Sequence, residues 1–235
     1  MKIYAHRGAS RDIPEMTMAA YEEAVKQGAD GFECDLRLTK DGVAVLWHDT
    51  DLVRCADNKA VVSGSSYLQL KNIYPQILTI DEILDFAISQ GKSLLLETKH
   101  PVPSHTAVEN LLVEKINIEA SRIKKAEIDV NVMSFSWLAI EHIKRLDKNI
   151  ETTYLLNNFI PWFNESHSSA RSLGPEISQL QKNPELAKRI KGVGRKLNVW
   201  TVNEPSDIQL CHDLAVDNLI TDRPGFVRDF LREIK

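Results

Sequence analysis

The sequence predicts an α/β protein folded as a (β/α)8 barrel, and three observations support that fold. Eight short apolar strands alternate with helical segments, and the connections are long enough for parallel pairing. Polar residues repeatedly follow the last apolar residue of a strand, which is where such barrels place their active sites. The length of 235 residues suits one domain, so we expect a single barrel over residues 1–235.

The alternation can be followed along the whole chain. The predicted strands are 3–5, 31–38, 93–96, 130–134, 151–156, 175–178, 197–202 and 218–221. The predicted helices are approximately 17–27, 79–90, 104–122, 136–147, 183–191 and 205–214, with a last one from 224. Residues 157–174 give no clear signal. A doubly wound open sheet is the alternative fold, but no GxGxxG segment follows the first strand.

The second strand and its hairpin dominate the sequence. In the stretch GFECDLRLTKDGVAVLWHD at 31–49, apolar and charged residues alternate with period 2, which places Glu33 and Asp35 on one face. Their alpha carbons are then roughly 7 Å apart, so the two carboxylates need a cation between them or a shared proton. An Asp-Gly turn leads into a second apolar strand at 43–47 that delivers His48 nearby. This pattern predicts a metal and acid/base site.

Residues 50–78 form a polar, irregular segment that we interpret as a short insertion after the second strand, with a cap-like position. Long excursions of this kind are usually functional or form a small subdomain. Thr79 then opens the next helix with a capping-box spacing to Glu82, and that helix is expected to stop at Gly91.

Composition excludes several protein classes. The net charge of −4 disfavours nucleic-acid binding, and no apolar run approaches the roughly 20 residues that span a bilayer. A strand beginning at residue 2 leaves no room for a signal peptide, so we expect a cytoplasmic protein. Cys34, Cys55 and Cys211 are far apart and lack CxxC spacing, which fits a reducing compartment. The oligomeric state stays open, with a homo-oligomer among the options.

Functional candidates gather at predicted strand ends, on four strands of the barrel. The candidates there are His6 and Arg7, Glu33 and Asp35, Glu97 and Lys99, and Trp200 and Asn203. Taken singly, each has a structural interpretation: a buried histidine, a salt bridge to Arg37, a Glu97–Lys99 ion pair, or a core tryptophan. Together they predict an active site at one mouth of the barrel.

The chain resembles the glycerophosphodiester phosphodiesterase family. The resemblance rests on AHRGAS at 5–10, PEMT at 14–17, the 31–49 stretch, ILTIDEIL at 77–84, LLLETKH at 94–100, MSF at 133–135, NVWTVN at 198–203 and LITDRPG at 219–225. It implies a TIM barrel that hydrolyses glycerophosphodiesters to glycerol 3-phosphate and an alcohol. Two departures from the family pattern are Met16, in place of an asparagine, and the short segment at 50–78.

The resemblance also implies roles for individual residues. Glu33, Asp35 and Glu97 would bind a divalent metal, and His6 and His48 would be the acid/base pair. Arg7 and Lys99 would hold the phosphate, Glu15 would belong to the same substrate- and phosphate-binding set, and Trp200 would line the pocket. All-oxygen ligation favours Mg²⁺ or Ca²⁺ as the cofactor.

Three functional hypotheses follow. The first is a phosphodiesterase acting on small-molecule glycerophosphodiesters, with no nucleic acid or transmembrane segment involved. The second is a related barrel enzyme that acts on lysophospholipids, in the manner of a lysophospholipase D, or that cyclises a phosphodiester. The third is a non-catalytic barrel that retains only phosphate binding; it would require a broken set of site residues, and none is missing.

Overall fold

The computed structural model describes residues 1–157 and 167–234 and confirms the barrel. Within these residues, eight parallel strands close into a ring in the order β1-β2-β6-β7-β8-β9-β10-β11, and β11 pairs back onto β1. Strand β3 extends this sheet by pairing antiparallel with β2, and β4 and β5 form a separate hairpin. The bounds are β1 Lys2–His6, β2 Gly31–Leu38, β3 Ala44–Leu46, β4 Asp51–Leu52, β5 Asn58–Val61, β6 Ser93–Thr98, β7 Val130–Ser134, β8 Glu151–Leu156, β9 Ser172–Pro175, β10 Lys196–Val199 and β11 Asn218–Thr221.

Helices surround the ring. Those that connect barrel strands are Met18–Lys26, Ile80–Gln90, Ala107–Lys125, Trp137–Leu146, Ile177–Lys182, Glu185–Gly192 and Pro205–Asp213, and Pro224–Glu233 follows the last strand. The capping box of Thr79 and Glu82 is present, and Gly91 ends that helix in the left-handed region at φ 60°, so both predictions are confirmed. Among the described residues, no helix is both long enough and apolar enough to cross a membrane.

The strand predicted at 175–178 is wrong. The sixth barrel strand is Ser172–Pro175, and a helix begins at Ile177 because Glu176 and Gln179 form a capping box. Gly174 and Pro175 are residue types that are rare inside strands, so the strand could not be recognised from the sequence. A side chain at Gly174 would meet Leu155 at 2.7 Å, so the glycine is needed for packing inside the barrel. The unassigned segment 157–174 falls partly on residues 158–166, which lie outside the described residues.

The segment at 50–78 is not irregular, contrary to expectation. It contains the β4–β5 hairpin, the helices Val53–Ala56 and Tyr67–Ile73, and a 3-10 turn at Val62–Gly64. Its apolar residues are spread over several short elements and follow no single period, yet some of them share a small core of their own. That core is formed with the β3 hairpin by Val45, Trp47, Leu52, Val62, Leu70 and Ile77.

The inside of the barrel is arranged in three layers. The middle layer is apolar and consists of Tyr4, Leu95, Met133, Leu155 and Ile220. Tyr4 fits because a side chain at Gly31 would lie 2.4 Å from its ring. Since side chains alternate along a strand, residues two positions earlier form a lower layer and residues two positions later form an upper one.

The buried part of the lower layer, at the N-terminal ends of the strands, is polar and uncharged, whereas Lys2 at its edge is exposed and pairs with Asp129. The Thr153 hydroxyl donates to the Asn131 side-chain carbonyl at 2.8 Å, and the Asn198 amide donates to the Thr153 hydroxyl at 2.7 Å. The Asn218 amide donates to the Asn198 carbonyl oxygen at 2.8 Å. The upper layer holds the candidate site residues.

Candidate active site

The predicted site residues meet at the C-terminal mouth of the barrel. A cavity of about 120 Å³ is lined by seven of them, His6, Arg7, Glu33, His48, Glu97, Lys99 and Trp200. Asp35 is buried directly beside this cavity, and Glu15 lies in an adjoining one with His6 and Arg7. The structure thus brings all nine predicted residues to one end of the barrel, and their roles stay predictions.

Three carboxylates form the floor of the site. Glu33, Asp35 and Glu97 are buried, and each offers an oxygen that lies within 4.8 Å of the other two. The register explains the convergence, because Asp35 on β2 is paired directly with Glu97 on β6. An all-oxygen donor set of this kind fits a hard cation such as Mg²⁺ or Ca²⁺.

The charges in this cluster are partly balanced by two cations. The Lys99 ammonium lies 2.7 Å from both Asp35 Oδ1 and Glu97 Oε1, and Arg7 Nε lies 2.9 Å from Asp35 Oδ2. Burial works to raise the pKa of Asp35, but Lys99 and Arg7 outweigh it and hold that pKa below its ordinary value. Burial and the Asp35 charge raise the pKa of Glu33 well above its usual range, and burial raises the pKa of Glu97 to about 7.

His6 is held by a carboxylate that the sequence analysis did not include. Its Nδ1 lies 2.6 Å from Asp222 Oδ1, and its Nε2 faces the site at 3.8 Å from Glu33. Asn203 donates to the other Asp222 oxygen at 2.6 Å, and Ser10 donates to Oδ1 at 3.0 Å. Burial raises the pKa of Asp222, but the bond to His6 and these donors lower it to about 2. Asp222 therefore stays an anion and fixes the imidazole ring.

Asp222 could have been found by the rule that found the others. It directly follows Thr221, the last residue of β11, so it is another polar residue at a strand end. Asn203, which the sequence placed at a strand end without a role, lies in the loop after β10 and supports this carboxylate.

His48, which lines the same cavity, has a similar partner. Its Nδ1 lies 2.8 Å from Asp49 Oδ1. Burial lowers the pKa of His48, and the charges of Lys99 and Arg7 act in the same direction while Asp35 opposes them. The ring therefore favours its neutral form, in which one nitrogen accepts a proton.

Both carboxylate oxygens of Glu15 accept hydrogen bonds from arginines. Arg7 donates to them at 3.2 and 3.4 Å, and Arg54 donates at 2.6 and 2.9 Å. The neighbouring Met16 is buried with a left-handed backbone at φ 54°, a conformation that asparagine tolerates better than methionine. The Met16 backbone N–H still donates to the Arg7 carbonyl at 2.8 Å, so the turn keeps this bond without an asparagine side chain.

The far wall of the cavity is apolar. Phe135 and Trp200 meet edge to face with ring centroids 5.3 Å apart, and the Trp200 indole N–H donates to the Gly174 carbonyl. Met133 and Leu155 complete this wall. The cavity thus combines two carboxylate-held imidazoles, a carboxylate cluster and two cations with an apolar surface, a set suited to acid/base chemistry on an anion.

Comparison with known proteins gives consistent results at the level of sequence. The model of the glycerophosphoryl diester phosphodiesterase family matches residues 6–226. A probable glycerophosphodiester phosphodiesterase 1 of Mycobacterium tuberculosis is 32% identical, with 98% of this chain and 92% of that protein covered. A glycerophosphodiester phosphodiesterase of Caldanaerobacter subterraneus is 27% identical, with 98% of each chain covered.

Solved structures agree on the fold. A glycerophosphodiester phosphodiesterase of Thermotoga maritima superposes with a TM-score of 0.82 at 22% identity, covering 100% of this chain and 98% of that one. A phosphodiesterase of Oleispira antarctica, solved in complex with the product sn-glycerol-3-phosphate, gives a TM-score of 0.82 at 24% identity, covering 99% and 97%.

Proposed function

The chain belongs to the glycerophosphoryl diester phosphodiesterase family, and from this premise we propose that it hydrolyses glycerophosphodiesters to sn-glycerol 3-phosphate and an alcohol. The observation that carries the proposal is that two imidazoles, His6 and His48, line one cavity beside a cluster of three buried carboxylates. The product found in the Oleispira antarctica structure is the one this reaction would release.

Phosphodiester cleavage needs two proton transfers. The attacking hydroxyl must lose a proton and the departing alcohol oxygen must gain one, which suits a pair of imidazoles, the side chains most often used as general acids and bases. In both histidines Nδ1 is bonded to an aspartate, so Nε2 is the atom free to act on the substrate. Asp222 and Asp49 also stabilise the imidazolium that forms after proton uptake.

Negative charge develops on the phosphoryl oxygens as the bond to the leaving group breaks. Arg7 and Lys99 line the cavity beside the carboxylates and would hold these oxygens by charge-assisted hydrogen bonds. Glu33, Asp35 and Glu97 would hold Mg²⁺ or Ca²⁺, which when bound supplies a Lewis acid at the same place. Trp200 and the apolar wall would take the carbon skeleton of the substrate.

Two routes use the same residues. Water attacks phosphorus directly, or the substrate's 2-hydroxyl attacks first and forms a cyclic phosphate that water then opens. We favour the second route, because the hydroxyl is already tethered beside phosphorus. A substrate with hydrogen in place of the 2-hydroxyl should then bind but hardly turn over. A kcat for the deoxy substrate close to that of glycerophosphocholine would assign the attack to water.

The function is tested with a panel of glycerophosphodiesters assayed with Mg²⁺, with Ca²⁺ and with a chelator, measuring glycerol 3-phosphate. We expect release with a divalent cation and none with chelator, and no release by the matched variant Glu97→Gln. A lysophospholipid in the same panel tests the alternative substrate class. If no glycerophosphodiester is hydrolysed under any condition, the proposed function is wrong.

A further inference from the structure

We propose that Arg54 is a positioning residue through which the insertion at residues 50–78 fixes both His48 and Arg7 in the active site. Arg54 lies on the short helix Val53–Ala56, outside the barrel, and it does not line the catalytic cavity. The inference rests on the proposed function, because turnover is its readout.

The contacts of Arg54 run to two carboxylates on different loops. Its Nε donates to Asp49 Oδ2 at 2.6 Å. Its two terminal nitrogens donate to the two oxygens of Glu15 at 2.9 and 2.6 Å, a bidentate pair. Glu15 belongs to the loop after β1, whereas Asp49 follows the β3 hairpin strand. A single planar guanidinium thus joins two segments that are far apart in the sequence.

Each of these carboxylates continues to a residue of the site. Asp49 uses its other oxygen to bind Nδ1 of His48 at 2.8 Å. Glu15 accepts a bond from Arg7, and Arg7 Nε in turn lies 2.9 Å from Asp35. One branch from Arg54 therefore ends on an acid/base imidazole, and the other ends on the arginine assigned to the phosphate.

The electrostatics support this arrangement. Asp49 and Glu15 both have lowered pKa values, to which their hydrogen bonds with Arg54 contribute against the effect of burial. Without the guanidinium, two carboxylates would face each other across the gap and would repel. Arg7 would then lose the fixed position of its partner Glu15, and His48 would lose that of Asp49.

The insertion gives Arg54 a rigid base. The residue two positions earlier, Leu52, is fully buried in the small core with Trp47 and Val62. Trp47 also donates its indole N–H to the Asp51 carbonyl at 2.7 Å, which anchors the chain just before the helix. The position of the guanidinium therefore follows from the packing of the insertion and not from the barrel.

The competing explanation is an ordinary surface ion pair, because the Arg54 side chain is 48% exposed. Such pairs contribute little to stability and nothing to turnover. Arg122 provides a matched control. Its side chain is 51% exposed and also contacts two carboxylates, Asp85 and Glu119, but on the outer helices away from the site.

The experiment compares Arg54→Ala, Arg54→Lys and Arg122→Ala for kcat, KM and melting temperature. Arg54→Ala should lower kcat and raise KM, with kcat/KM falling about 10- to 100-fold, because both branches lose their alignment. Arg54→Lys should recover little of this loss, since an ammonium cannot make the bidentate bond. Arg122→Ala should keep wild-type kinetics, and all variants should stay folded at the assay temperature.

Two further measurements separate positioning from simple destabilisation. Millimolar guanidinium chloride should restore part of the turnover of Arg54→Ala and none of that of His48→Ala. The losses caused by Arg54→Ala and Asp49→Asn should be less than additive in the double variant, because both changes disturb the branch that ends on His48.

Near-wild-type kinetics in Arg54→Ala would overturn the inference, as would additive losses with no guanidinium rescue. Inactivity of the wild-type enzyme towards all glycerophosphodiesters would instead refute the proposed function. If the wild type and Arg122→Ala are active and Arg54→Ala is equally active, only the proposed role of Arg54 is refuted.

Discussion

The two ends of the barrel interior are built from opposite chemistry. At the C-terminal end, three buried carboxylates, two cations and two histidines lie in or directly beside one cavity. At the N-terminal end, neutral side chains form a chain of hydrogen bonds in which Thr153 and Asn198 both donate and accept. Both ends are polar and buried, yet only one of them carries charge.

The difference shows how the barrel separates stability from function. A neutral layer of this kind forms its hydrogen bonds without a charge to desolvate. Buried charges are costly unless they are fully paired, and the raised pKa values of Glu33 and Glu97 show that their pairing is incomplete. We therefore expect changes at the charged end to act on activity and changes at the neutral end to act on stability.

The largest expected effect is the removal of the divalent cation. A chelator should abolish activity, and it should also lower the melting temperature, because a ligand bound only by the folded state stabilises it. Glu97→Gln should weaken metal binding, measured by isothermal titration calorimetry, without unfolding the protein. A chelated, metal-free sample with full activity would contradict the assignment of Glu33, Asp35 and Glu97.

The histidines should give the next largest effect. His6→Ala and His48→Ala should each lower kcat by about 10² to 10⁴, the usual contribution of a general acid or base. Melting temperatures should change little. His142→Ala is the control, since His142 is exposed and bonded to Asn110 far from the cavity. Wild-type turnover in either active-site variant would remove that histidine from the mechanism.

The neutral end should respond in the opposite way. Thr153→Val keeps the shape of the side chain but leaves Asn131 without its donor and Asn198 without its acceptor. We expect a loss of about 1–3 kcal/mol in the free energy of unfolding, measured by urea denaturation, and an unchanged kcat. A marked fall in kcat with no loss of stability would show that the two ends are not separated.

The smallest expected effect concerns acid stability at Asp222. Its pKa of about 2 in the folded protein is below the value of about 3.9 for an unfolded aspartate. The stabilisation it provides is therefore present above pH 4 and is lost as the pH falls through 2. The stability difference between wild type and Asp222→Asn should shrink over that interval in acid denaturation. A difference that is constant with pH would argue against an ionised Asp222.

Much of this architecture could be predicted from the sequence, because strands and their ends leave a local signal. The strands at 130–134, 151–156 and 218–221 were predicted with the bounds observed. Period 2 also placed Glu33 and Asp35 on the inner face, where the structure has them.

The features that could not be predicted depend on contacts between residues far apart in the chain, which the spacing of residues in the sequence does not show. Asp222 is 216 positions from His6, and Arg54 is 39 positions from Glu15, so neither pairing has a local pattern. The core of the insertion is likewise assembled from single apolar residues spread over several short elements. Its position beside the site becomes visible only when the chain is folded.

The central claim, that the charged end favours function over stability, is tested most directly by comparing Glu33→Gln with Thr153→Val. Both changes nearly preserve side-chain shape. The measurement is the free energy of unfolding of the metal-free proteins in urea near neutral pH, with kcat recorded after metal is restored. We predict that Glu33→Gln is at least as stable as wild type but inactive, whereas Thr153→Val is less stable and active. A loss of stability in Glu33→Gln as large as that in Thr153→Val would contradict the claim.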